Sequence, residues 1–126
     1  MAKSTQFIIA VENRPGTVAE IAHALGDAKV NILALSGLAH GAGGTVHVIV
    51  DNARRAKTAL DAARCHYTQA PVNQVELPNK PGALAKYLDG VAKKGVNLNA
   101  VYATTSKNAK KATVVFVEEK TAAATS

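Results

Sequence analysis

Four asparagines occupy positions from which amides could grip a small polar molecule. Asn13 opens the string Asn13-Arg14-Pro15-Gly16, and Asn79 opens Asn79-Lys80-Pro81-Gly82, 66 positions later. Val30-Asn31-Ile32 returns at the same offset as Val96-Asn97-Leu98. An Asn amide carries an acceptor and two donors, so one residue type can hold an ammonium or a carboxylate. The uncovered N–H groups at a helix start suit a carboxylate, and a glycine lets backbone approach a ligand closely. The same residues also serve turns, where Asn satisfies backbone groups and Gly supplies positive φ. Asn31 and Asn97 could equally fasten a helix-to-strand turn.

Other chemistry finds little support. Cys65 and His66 are adjacent on an expected strand, so they point to opposite faces. No Gly-X-Ser-X-Gly elbow accompanies them. The acidic residues are scattered, and general acid–base catalysis has no evident seat. His40, His47 and His66 lack the close spacing of a metal site. Gly41-Ala42-Gly43-Gly44 joins two strands and does not open a helix, which removes the phosphate-cradle reading. No catalytic residue, metal or cofactor is expected.

The 126 residues carry a net charge of +6. The cations fall in small groups (Arg54-Arg55 with Lys57, Lys93-Lys94, Lys107 with Lys110-Lys111) without interleaved aromatics, as solvated helix faces and a basic loop would. RNA-recognition sheets need exposed aromatics for stacking. The expected third strands, Thr45–Val50 and Ala112–Val117, hold only Phe116 between them, so nucleic acid is not an expected partner. No apolar run approaches the roughly 20 residues of a membrane span. The lone Cys65 agrees with a reducing compartment, and a cytoplasmic location is expected.

These residues must be positioned by regular elements. Phe7–Val11 reads as a strand and Pro15–Ala28 as a helix with Val18, Ile21, Ala22 and Leu25 on one face. Val30–Leu38 and Thr45–Val50 read as a hairpin. A helix capped by Asp51 or Asn52 follows, then a strand Cys65–Ala70 that Pro71 confines to an edge or a bend. The pattern restarts with strand Val72–Leu77, helix Pro81–Lys94, and strands Val96–Thr104 and Ala112–Val117. Residues 118–126 are too few for both a helix and a final strand. The expected fold is α+β: two ferredoxin-like modules with antiparallel sheets, residues 1–70 as βαββαβ and residues 71–126 truncated to βαββ. The truncation leaves Val72–Leu77 with an unpaired side, for which a second chain is the expected cover.

The doubled Asn-X-Pro-Gly loop, followed each time by Val-Asn-Ile/Leu, resembles the ACT domain, a regulatory module of amino-acid metabolism. Val11-Glu12-Asn13-Arg14-Pro15-Gly16 in particular is similar to the serine-sensing domain of D-3-phosphoglycerate dehydrogenase, although Val11 stands where that sensor has a ligand-contacting His. The resemblance implies a non-catalytic regulatory protein that binds a free amino acid at a module or subunit interface. It implies ligand contacts from Val11, Asn13, Arg14, Pro15, Gly16, Thr17, Asn31 and Ile32. Their counterparts in the repeat are Leu77, Asn79, Pro81, Gly82, Ala83, Asn97 and Leu98. A homodimer, and an enzyme partner in amino-acid metabolism, are expected. The alternative is an association module that pairs with an enzyme and binds no ligand.

Overall fold

The computed structural model describes residues 2–118, which form two compact units. The first is Thr5–Pro71; the second is Val72 onward, joined by the first residues of the chain. The elements are β1 (Ala2–Glu12), α1 (Thr17–Asp27), β2 (Ile32–His40), β3 (Gly43–Val50), α2 (Ala53–Ala62), β4 (His66–Pro78), α3 (Ala83–Lys93), β5 (Leu98–Thr104) and β6 (Lys111–Glu118). The fold is α+β with antiparallel strand pairing, as expected for a ferredoxin-like arrangement. No helix among the described residues is long and apolar enough to cross a membrane.

In the first unit the strands lie in the order β2-β3-β1-β4. Alternation along β1 and β3 puts every second side chain on one face, and Phe7 and Ile9 stand directly opposite Val48 and Val46. Ile21 and Leu25 from α1 and Ala56 and Leu60 from α2 close over them to complete the core. Tyr67 meets Phe7 edge-on with ring centroids 5.5 Å apart. Asn52 caps α2, its side chain accepting from the Arg55 N–H at 3.0 Å. Of the stripe expected on α1, Ile21 and Leu25 are buried, but Val18 and Ala22 are exposed.

In the second unit the order is β4-β6-β5, with Val75 opposite Val114 and Asn73 opposite Phe116. Tyr87 of α3 packs on Phe116 at 6.1 Å. Backbone features recur at the 66-residue offset. Gly16 and Gly82 precede their helices with φ of 92° and 84°, and Lys29 and Gly95 follow them in the same left-handed region. The ladder irregularity between Ile32 and Ala34 recurs between Leu98 and Ala100. Beyond β5 the offset becomes 68: Leu35 pairs with Val48, while Val101 pairs with Phe116. The β5–β6 loop is therefore two residues longer than the β2–β3 turn.

Three expectations need correction. Pro15 is not in the first turn of the helix; α1 begins at Thr17, and Pro15-Gly16 form the turn before it. Cys65–Ala70 and Val72–Leu77 are not separate strands: β4 runs through Pro71 from His66 to Pro78. Within the first unit β4 is an edge strand, where a missing N–H costs no ladder bond. Val72–Leu77 is not left with a bare side along its whole length. β1 is the neighbour of β4, its first residues group with the second unit, and Ser4 Oγ donates to Gln74 Oε1 at 3.1 Å. The expectation for the final segment concerns residues 119–126, which lie outside the described residues.

Candidate functional site

Each Asn-X-Pro-Gly loop is tied to a strand hairpin. The Asn13 N–H donates to the Ala42 carbonyl at 2.9 Å, and Asn13 Nδ2 to the Gly41 carbonyl at 3.2 Å. The Asn79 N–H donates to the Lys110 carbonyl at 2.9 Å. Asn79 Nδ2 donates to the Ser106 and Ala109 carbonyls at 3.2 and 2.8 Å. The amide donors thus brace the hairpins, and each Oδ1 remains as an acceptor. Next to Gly16 and Gly82 no heavy atom lies within 4 Å of where a Cβ would stand. These glycines therefore answer to positive φ, not to crowding.

Beside each loop lies a pocket. The first, of about 240 Å³, is bounded by Val11, Glu12, Asn13, Thr17, Val18, residues 37–39 of β2 and the start of β3. The second, of about 220 Å³, is lined by Leu77, Pro78, Asn79, Lys80, Leu84, Ala103, Thr104, Thr105, Ala112 and Val114. With the offset of 66 through β5 and 68 in β6, nine of these ten residues have counterparts lining the first pocket. The two pockets are the same place in the two repeats. Of the expected contacts, Val11, Asn13, Thr17, Leu77 and Asn79 line them. Pro15, Gly16, Pro81, Gly82 and Ala83 shape the adjoining turns without lining either pocket.

Asn31 does not join Asn13. It precedes β2, whereas Asn13 grips the turn after it, so the nine residues of β2 hold them roughly 30 Å apart. The Asn31 N–H donates to Asp51 Oδ1 at 3.0 Å, and the Asp51 N–H returns to the Asn31 carbonyl at 3.1 Å. Ile32 begins β2 beside it. Asn97 and Leu98 stand at the same end of β5, away from Asn79. One unit alone therefore cannot bring both asparagines to one small ligand.

Arg14 is also absent from the first pocket. Its guanidinium lies 3.1 Å from Glu20 and 3.4 Å from Glu12, on the side of a larger cavity of about 490 Å³ between β1, α1 and the α2–β4 junction. Ile9, Val11 and Ile21 line this cavity together with Arg64, Cys65 and His66. Burial pushes the Cys65 thiol up, and the charge of Glu20 adds to the effect. A thiol shifted in this direction yields less of the nucleophilic thiolate. Sequence reasoning missed this cavity because residues 63–66 reach α1 only through the fold. His47 on β3 has its pKa lowered by burial. No cluster among the described residues could hold a metal ion.

Residues 5–64 match the family model of the ACT domain. Among solved structures, the chain is similar to a Bacteroides thetaiotaomicron protein at 28% identity and a TM-score of 0.84, over 92% of this chain and 79% of that one. It shares its fold with the regulatory subunit of aspartate kinase from Thermus thermophilus (18% identity, TM-score 0.68, 92% and 83% covered). The Thermus flavus regulatory subunit of the same enzyme is alike (19%, 0.67, 90% and 82%). Among curated proteins no sequence matched. The family-model match is confined to residues 5–64, a little under half of the chain.

Proposed function

We propose that this protein is a non-catalytic regulator built from two ACT-type modules, residues 1–70 and 71–126, which binds a free amino acid beside an Asn-X-Pro-Gly loop. The observation that carries the reading is the recurrence of one pocket at corresponding positions of the two repeats. Both pockets join an apolar floor to Asn Oδ1 and Thr groups, a lining suited to a zwitterion with a modest side chain. Binding without turnover is supported by this lining and by the upward shift of the Cys65 thiol. The separation of Asn13 from Asn31 supports a site completed by a module of a second chain, as the family resemblance implies. A role as the regulatory subunit of an enzyme of amino-acid metabolism is part of the proposal.

A thermal-shift screen against the proteinogenic amino acids tests it, since a ligand bound only by the native state raises apparent stability. A saturable rise with at least one amino acid is expected. Silence across the screen would favour the second reading, a pure association module. That reading draws support from exposed apolar residues at corresponding places: Leu35 and Val101 on edge strands, Val18 and Leu84 on helices.

A further inference from the structure

The two pockets differ where a ligand's charge would be met. Lys80 is the one residue lining the second pocket whose counterpart, Arg14, does not line the first. Arg14 is clamped by Glu12 and Glu20, and the second repeat has Pro78 and Lys86 in place of those acids. Lys80 has no ion pair or side-chain hydrogen bond among the described residues, which leaves its ammonium available to the pocket.

The surroundings have diverged in the same direction. Lys110 and Lys111 stand where the first repeat has Ala42 and Gly43, and Lys111 is directly across the ladder from Pro78. Thr104 and Thr105 replace Leu38 and Ala39. Residues 72–118 carry seven lysines against three acidic residues, whereas residues 5–71 carry six cations against five. Such a local excess of one sign draws in and holds the opposite charge. The lining of the first pocket includes no Lys or Arg, and its one acidic residue, Glu12, is paired with Arg14.

We propose that the second pocket is the working amino-acid site, and that Lys80 receives the ligand's carboxylate there. This rests on the amino-acid-binding reading above and adds which copy is used and how the ligand lies. Both Asn79 amide protons are spent on the Ser106 and Ala109 carbonyls, so Oδ1 is the group left for the ligand's ammonium. Leu77, Leu84 and Val114 offer the remaining wall to an uncharged side chain. A cavity of about 220 Å³ suits a small aliphatic amino acid, being below the ~300–1,000 Å³ of drug-sized sites.

Calorimetric titration of the full chain with each proteinogenic amino acid, and with isobutylamine beside L-valine, tests the assignment. Lys80→Met should weaken the best-binding amino acid by about 10- to 100-fold, the loss of one charge-assisted hydrogen bond. Lys80→Arg should restore most of the affinity, and isobutylamine, which lacks the carboxylate, should not bind. Lys80 is exposed, so both variants should match the parent's unliganded melting point. Binding that survives Lys80→Met would overturn the assignment and leave the amino-acid reading standing. Absence of binding by the parent chain would overturn both.

Discussion

At the scale of single residues, Asn13 and Asn79 act first as braces. Asn13→Ala removes one side-chain hydrogen bond to the β2–β3 turn and Asn79→Ala removes two from the longer β5–β6 loop. At about 0.5–1.5 kcal/mol for each net bond, Asn79→Ala should be the more destabilising by denaturant titration. Equal midpoints for the two variants would contradict the brace role. Tyr67 offers a second check. Its hydroxyl donates to Asp61 Oδ1 at 2.6 Å, and this bond, with smaller contributions from burial and nearby charge, pushes its pKa up to about 12. The unfolded chain releases that proton near its ordinary value of 10. Between the two values the native state binds more protons, so stability falls as pH rises. Below pH 10 the contribution is fully present. Melting curves through this window should fall more steeply for the parent than for Tyr67→Phe; parallel curves would show that the Asp61 bond is not formed. The asparagines were legible in the sequence as types and as a repeat. Their partners were not, because the accepting carbonyls lie 27 to 30 residues away and depend on hairpin geometry.

At the scale of elements, the two helices after the repeated loops start in the same way. Gly16 and Gly82 hold left-handed φ, and an added Cβ at either meets nothing within 4 Å. Alanine at either position should therefore cost only backbone strain, about 1–2 kcal/mol, read as a lowered denaturant midpoint. A neutral Gly16→Ala together with a neutral Gly82→Ala would show that the turn relaxes without penalty. Alternation and helical spacing located the elements among the described residues, except that the single strand β4 was read as two. What the sequence could not convey was how strands are shared out. The passage of β4 through Pro71 and the grouping of the first residues of β1 with the second unit are set by ladder pairing. So is the two-residue lengthening of the β5–β6 loop. Pairing of that kind leaves no local periodic trace.

At the scale of the whole molecule, the proposal requires a second chain. Leu35 and Val101 are 41% and 46% exposed on edge strands of their units, and Leu33 and Leu38 add to the first. Exposed apolar edges are sites of pairing unless protected. Light scattering at micromolar concentration should give a dimer mass, and Leu35→Lys with Val101→Lys should shift it toward monomer. A monomer mass for the parent would remove the second chain from the account. The central claim, however, is that a free amino acid binds beside a repeated loop. Its most direct test is an amide-resolved NMR titration of the full chain with the proteinogenic amino acids. Saturable shifts are expected, concentrated at Leu77–Lys80, Leu84 and Ala103–Thr105. Shifts confined to residues 63–66 and Glu20, or no shifts with any amino acid, would contradict it.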